Sequence, residues 1–435
     1  MNKALNSRTL GYAAHVTVKP IPPLEPVTLA QLQRMSEQHE KIKPLFNRQD
    51  LEILASGKIS SVFGPLFAQQ DAYVRQVRMP MPPVLFVDRV MKIEGEPGSM
   101  SKGKIWTETD IAADAWYLHD GHMPPGIMVE AGQANLLLVS WMGADFYNKG
   151  ERIFRLLGAN TTFHGELPKP GDTLCFEIEL EGFAKLGDLR LAFFHYDGYI
   201  NGELRISMRK GQAGFFTDKE LAESAGIVWD AATAKYKANA RVDAPKVICQ
   251  REHFNAEQVK AFAAGDIYQC FGAGFEKAQT QKYSPRIEKG ALCFIDEVTH
   301  FNPTGGPAGR GYMRAIQKIS PDAWFFKGHF KNDPCMPGSL MAQAGSQLLN
   351  FYLAALGYTL DKEGWRFEPV SGEELQMRCR GQCLPTNKEI SYEIFIEEVI
   401  SEPYPTVYAH LLGMIDGLKA LYVKGACMRL VPKEN

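Results

Sequence analysis

A chain that carries the same unit twice is restricted to folds that one unit can form and two units can share, and this sequence carries such a repeat. Phe46-Asn47 returns as Phe254-Asn255, an offset of 208 residues, and at that offset Ala55, Gly57, Ile59, Phe63, Gly64 and Phe67 match Ala263, Gly265, Ile267, Phe271, Gly272 and Phe275. Eight of the 22 positions from 46 to 67 agree, where composition alone gives about one. The offset persists: Val84 to Val90 answers Leu292 to Val298, and Trp116 answers Trp324. The 435 residues therefore divide into a lead-in over 1–44, a first unit over 45–217, a linker over 218–250 that is rich in Ala and Lys, and a second unit over 251–435. The lead-in places Pro20, Pro22, Pro23 and Pro26 ahead of a helical stretch, Leu29 to Leu45.

Composition narrows the class further. Lys+Arg 48 against Asp+Glu 50 leaves a net charge of −2, so no global basic field points to nucleic acid. No apolar run reaches the roughly 18 residues of a membrane span; the most apolar stretch, Ala134 to Ala144, is interrupted by Asn135 and Ser140. Residues 1–20 lack the apolar segment of a secretory signal. The eight cysteines form no CxxC pair, and Cys379-x3-Cys383 lacks a second half of ligands, so neither a disulfide framework nor a metal site is expected. Gly305 to Gly311 lacks the Gly-Lys-Ser/Thr ending of a phosphate loop and reads as a hairpin turn. These features predict a cytoplasmic protein.

Each copy shows the same coarse order. A short helical pair (Gln49–Phe67, Glu257–Phe275) precedes extended segments that include Leu85–Val90 and Phe294–Val298. One long helix follows, Ile127–Met142 or Ser339–Leu356, stopped by Gly143 or Gly357. Three β-rich segments close each copy: Thr173–Leu180, Leu189–Tyr196 and Glu203–Phe216, then Ile390–Glu398, Thr406–Ile415 and Lys419–Leu430. The long helix of copy one is apolar around most of its circumference, which predicts burial within a wrapping antiparallel sheet. A helix rolled in one curved sheet is a hotdog unit. The expected fold class is α+β, a double hotdog with the two units side by side as a pseudo-dimer.

Two polar residues interrupt this apolar pattern. Glu130 lies in the first buried helix, where an unpaired carboxylate is costly and its pKa rises. His329 lies directly before the turn Asp333-Pro334-Cys335-Met336-Pro337-Gly338 that feeds the second helix. The run His329 to Gly338 followed by a buried helix resembles the active-site signature of the β-hydroxyacyl-ACP dehydratases, above all the β-hydroxydecanoyl-ACP dehydratase/isomerase subgroup. Gln376 to Thr386 is similar to the strand and turn after the helix in that subgroup. The likeness is strong over about 290–432 and looser over 83–216, and the tandem arrangement is similar to the dehydratase region of bacterial polyunsaturated fatty acid synthases.

That resemblance implies dehydration of 3-hydroxyacyl thioesters carried on an acyl carrier protein, without metal or organic cofactor, inside a larger synthase polypeptide. It also implies a histidine working with an acid from the partner helix, fourteen residues beyond the histidine in the motif. Here that position is Gln343. Matching Ala131-Gly132 to Ala344-Gly345 sets Glu130 opposite Gln343, so the acid is expected from copy one and the base, His329, from copy two. The Gly338 N–H is expected to receive charge on the thioester oxygen. His119 and His122, in a loop where Trp116 to Met123 is 7 residues against 12 from Trp324 to Met336, would pair with Gln343 as a degenerate second site, and Pro125 stands where copy two has Gly338. Lys327, Lys331, Arg378 and Arg380 cluster in sequence around the expected mouth and suit an acidic carrier. Competing readings are a hotdog thioesterase and an inactive scaffold. The sequence leaves open acyl length, isomerisation of the product, and pairing of chains as a homodimer.

Overall fold

In the computed structural model, residues 43–433 are described, apart from 187–188; the expected lead-in helix lies almost wholly outside them. The repeated Phe-Asn dipeptide has a double structural role in both copies. Phe46 exchanges two backbone hydrogen bonds with Val90, and Phe254 does the same with Val298. Asn47 then caps helix α1 (Arg48–Ser56), its side chain accepting from Asp50 N while Asp50 accepts from Asn47 N. Asn255 and Gln258 form the same reciprocal box ahead of the corresponding helix, Ala256–Ala264. The most legible identities of the repeat thus fix where a helix starts and which strand it leans on.

The strands of copy one are β1 (Arg89–Glu94), β2 (Gly103–Asp110), β3 (Ile153–Phe163), β4 (Thr173–Leu186), β5 (Leu189–Ile200) and β6 (Glu203–Phe216). Copy two contributes β7 (Glu297–Asn302), β8 (Tyr312–Lys318), β9 (Trp365–Pro369), β10 (Glu374–Cys379), β11 (Glu389–Ile400), β12 (Thr406–Ile415) and β13 (Leu418–Pro432). They form a single antiparallel sheet in the order β1-β2-β4-β5-β6-β3-β10-β13-β12-β11-β8-β7, with β9 added beside β13. The order reads the same from either end. Its centre is the β3–β10 pairing, where Ala159 faces Met377 and Gly158 faces Arg378, so the two units share one sheet as the double hotdog requires.

The extended segments begin later than expected: β1 starts at Arg89 and β7 at Glu297. Val84 to Val87 are buried but pair with no strand: Val84 N and Leu85 N turn back to Met81 O, Val87 O accepts from Arg48, and a side-chain amide takes two further backbone groups. Gln133 accepts from Phe86 N (3.0 Å) and donates to Val84 O (3.1 Å). Gln347 repeats this in copy two with Phe294 N (2.9 Å) and Leu292 O (2.6 Å).

Those two amides also explain a second departure. In place of one helix over Ile127–Met142, copy one has α2 (Pro125–Ala131) and α3 (Asn135–Trp141). Copy two keeps an unbroken α4, Gly338–Ala355. Gln133 is three residues beyond Glu130, whereas Gln347 is four beyond Gln343. To bring both Glu130 and Gln133 to their places, copy one tightens through i→i−3 bonds, Gly132 N to Val129 O and Leu136 N to Gln133 O. Gly132, a weak helix former, sits at the break.

The central helices α2 and α4 cross at close range. A Cβ built on Gly126 would lie 2.7 Å from Gln343 Cβ and 2.8 Å from Ser339 O, so only glycine permits the approach. The linker runs against the second unit: Trp229 stacks on Tyr422 with centroids 4.7 Å apart, Ile227 N donates to Lys419 O, and Val242 bridges Val399. No helix among the described residues is long and apolar enough to cross a membrane.

Substituting Gly126→Val should force the helices apart and cost about 1–3 kcal/mol, the usual range for overpacking. The urea midpoint of the full chain measures this, and an unchanged midpoint would show that the crossing has slack.

Candidate active site

Helix α2 and the N-terminal part of α4 face each other, so each presents its polar residue to the other copy. Ser339 Oγ donates to Glu130 Oε2 (2.6 Å), and Gly126 N donates to Gln343 Oε1 (2.7 Å). With the helices matched as Glu130 to Gln343, Gly126 matches Ser339, so these are two versions of one contact across the pseudo-twofold axis. Around the first version the sequence-predicted residues meet. His329 Nε2 stands 3.8 Å from Glu130 Oε1, with side chains only 11% and 12% exposed. Both line a cavity of about 120 Å³ together with Tyr196, Cys335, Gly338, Ser339 and Met377.

Hydrogen bonding fixes the histidine tautomer. His329 Nδ1 lies 2.8 Å from the Cys335 carbonyl oxygen, which can only accept, so Nδ1 carries the proton and Nε2 offers its lone pair toward Glu130. Burial disfavours the imidazolium, and the nearby Arg155 cation adds to this, outweighing the Cys335 bond and taking the His329 pKa down to about 3. The same burial pushes Glu130 up to about 7 against the lowering effect of hydrogen bonds from Ser339 and Gln133. Both shifts favour the uncharged forms, a neutral imidazole beside a carboxyl group that holds its proton to higher pH than one in water. Gly338 is the first residue of α4, and its N–H meets no acceptor among the described residues.

Several supports came without a sequence signal. Arg155 on β3 grips Asp333 with two bonds of 2.6 and 2.5 Å, tying copy one to the loop that carries His329. Ser339 and Gln133 hold the Glu130 carboxylate. Each acts across a long sequence separation or through a residue type that is unremarkable alone. The His-loop turn was the one available pointer to Asp333.

The second version of the contact is built differently. His119 and His122 exchange backbone hydrogen bonds around the tight turn Asp120-Gly121. They line a small cavity with Arg286, Glu288 and Arg366. Gln343 reaches that group through Glu288, a buried carboxylate that accepts from Gln343 Nε2 and Gln347 Nε2 at 2.8 Å each. Burial, then the neighbouring Arg366, lowers the pKa of His122. Pro125 has no N–H to offer where copy two has Gly338. Of the four cations expected near the mouth, Arg380 lines an adjoining cavity and donates to Leu157 O. Lys331 instead bonds Ser56 O, and Lys327 and Arg378 are exposed. Among the described residues, no group of three or more His, Cys, Asp or Glu is arranged to hold a metal ion.

Two hotdog units sharing one sheet, with a histidine of one beside a carboxyl of the other, define a double-hotdog protein. The FabA-like domain family matches residues 79–208 and 287–424, one match in each copy, and the chain belongs to that family. It is 35% identical over 363 residues to a polyunsaturated fatty acid synthase subunit of Thraustochytrium sp., covering 82% of this chain and 24% of that protein. The chain thus spans about a quarter of that relative. Among solved structures it is similar to the dehydratase domain of RzxB from Pseudomonas fluorescens (10% identity, TM-score 0.35, 74% of this chain and 94% of that one). It is similar also to the tesB protein of Mycobacterium avium subspecies paratuberculosis (11% identity, TM-score 0.37, 80% and 96%).

The depressed histidine pKa has a direct check. In an NMR titration of the histidine-labelled chain, the His329 ring should keep the neutral, Nδ1-protonated pattern throughout the mildly acidic range. Protonation with an ordinary midpoint near 6.5 would overturn the assignment of a dry, neutral base.

Proposed function

We propose that this chain dehydrates 3-hydroxyacyl thioesters to 2-enoyl thioesters, the acyl group arriving on the phosphopantetheine of an acyl carrier protein, as one part of a larger fatty acid or polyunsaturated fatty acid synthase. The observation that carries the reading is the neutral His329 Nε2 set 3.8 Å from the buried Glu130 carboxyl across the seam between the copies. Membership of the FabA-like family and the identity to the synthase subunit support it.

The residues divide the reaction as follows. His329 Nε2 takes the C2 proton, and charge builds on the thioester oxygen. The free Gly338 N–H, with the α4 dipole behind it, receives that charge. As C2=C3 forms and the C3–O bond breaks, Glu130 gives its proton to the departing hydroxyl, which leaves as water. The step ends with His329 protonated and Glu130 ionised, and proton transfer between these neighbours restores both. The elimination moves only protons and water, so it calls for no metal or organic cofactor.

Replacing His329→Ala or Glu130→Ala should each lower turnover of a 3-hydroxyacyl thioester by about 10²-fold or more. His119→Ala and His122→Ala should change it little, since Pro125 supplies no N–H there and Glu288, the carboxylate of their cavity, is held by the Gln343 and Gln347 amides; full activity in either of the first two variants would sink the composite site.

The pH profile carries a sign. Glu130 must be protonated to act, so kcat/KM should fall as pH rises past about 7, while the His329 pKa of about 3 keeps the acid side flat until far lower pH. Ser339 stabilises the ionised carboxylate, so Ser339→Ala should move the falling limb to higher pH. A limb that stays in place would show that another group controls it.

A further inference from the structure

Three cavities lie in series through the seam. The catalytic cavity shares Arg155, Leu156, Cys379 and Gly381 with one neighbour, the cavity that Arg380 lines. Through a different wall, made of Val129, Ser339 and Met377, it adjoins a second neighbour. That third cavity lies under the copy-two sheet, where Ala342 and Gln343 occupy the places that Val129 and Glu130 hold in the working site. It has kept an apolar lining and lost the groups for chemistry. Both ends of the Gln343 amide are engaged, by Gly126 N and by Glu288, and Pro125 supplies no N–H.

The linings also differ in bulk. Over the catalytic cavity the copy-one strands present Phe154, Phe194 and Tyr196. Over the third cavity the copy-two strands present Leu411, Val423 and Ala426, and α4 presents Ala342 and Ser346 one turn apart. Phe163 of β3 is the one phenylalanine or tyrosine ring lining the third cavity, against Phe154, Phe194, Tyr196 and Phe330 around the catalytic one, so a long apolar group held at His329 and Glu130 meets fewer rings across the seam. Between the two lies Met377, an unbranched thioether that repacks easily.

We propose that the third cavity is the tail site of the working centre: the far end of the acyl chain, whose thioester lies between His329 and Glu130, crosses the Val129–Ser339–Met377 wall and is buried in the degenerate half. This rests on the dehydratase reading and adds a substrate class to it, long unbranched 3-hydroxyacyl thioesters. The degenerate half then serves the reaction by accepting methylenes. Each methylene taken out of water is worth about fourfold in binding, so a cavity that takes two or more separates long from short substrates by more than about tenfold.

The test uses the full chain with 3-hydroxybutyryl and 3-hydroxydodecanoyl pantetheine thioesters. Ser346→Phe and Ala342→Phe, made separately, fill the third cavity from α4 without touching His329, Glu130 or Gly338. In each, the ratio of kcat/KM for the long substrate to that for the short one should fall by more than about tenfold. An unchanged ratio in variants that turn over the short substrate overturns the proposal. Failure of the unaltered chain on both substrates overturns the dehydratase reading instead. A measurement independent of variant folding uses the unaltered chain and a 3-hydroxyacyl thioester with a terminal diazirine. Photolabelling should fall on the α4 peptide holding Ala342 and Ser346 or on the β12–β13 hairpin holding Leu411 and Val423. Labelling confined to Phe154, Phe194 or Tyr196 overturns the tail site.

Discussion

Everything chemical in this molecule depends on the close crossing of two buried helices. Gly126 lets α2 and α4 approach until Ser339 reaches Glu130 and Gln343 reaches the Gly126 N–H. A carboxyl group placed there is surrounded by two copies of the fold rather than one, and that dryness raises its pKa. The sheet follows the same constraint. With the helices at contact distance, the two halves pair β3 with β10 and close into one continuous sheet around the seam.

The crossing is symmetric in backbone and asymmetric in chemistry. A symmetric dimer must keep base, acid and oxyanion donor in every subunit, because symmetry duplicates each site. In a fused pair that requirement lapses. Here His329 and Gly338 come from copy two and Glu130 from copy one, while the opposite corner has Gln343, Pro125 and a shortened loop. That corner was rebuilt as structure: Glu288 is a buried carboxylate held by two amide donors, and Asp120 is buried against Arg286. A buried carboxyl group that lost its partners would be strongly destabilising, so the corner is held in place by stability, its carboxyl groups tied to the Gln343 and Gln347 amides and to Arg286.

The division between what was legible in the sequence and what was not follows sequence distance. Phe46-Asn47 and Phe254-Asn255 could be read because strand docking and capping need particular residues at adjacent positions. The loop from His329 to Gly338 could be read because consecutive residues build it. The pairing of Glu130 with Gln343 came from matching two helices, and the structure sets Glu130 beside His329. The break between α2 and α3 was missed because its cause is a spacing of three against four residues, visible only once Gln133 and Gln347 are seen on the same backbone atoms. Arg155 with Asp333 and Ser339 with Glu130 were missed because each pair joins residues far apart in the chain, and no local pattern marks them.

The two pKa shifts also explain why the base and the acid can stand together. If both groups titrated as in water, His329 and Glu130 at 3.8 Å would settle near neutrality as an ion pair, the imidazole already protonated and the carboxyl already ionised, which is the wrong state for the proposed elimination. Burial disfavours both charged forms at once, lowering one pKa and raising the other. The Cys335 carbonyl keeps the proton on Nδ1, so the neutral pair points a lone pair and an acidic proton into the same cavity. In the proposed dehydration the ion pair would form only after the substrate has given up a proton and taken one, as the state from which the site resets. Water reaching the seam would favour the ion pair, so the apolar residues that seal the helix crossing maintain the uncharged pair as well as the fold.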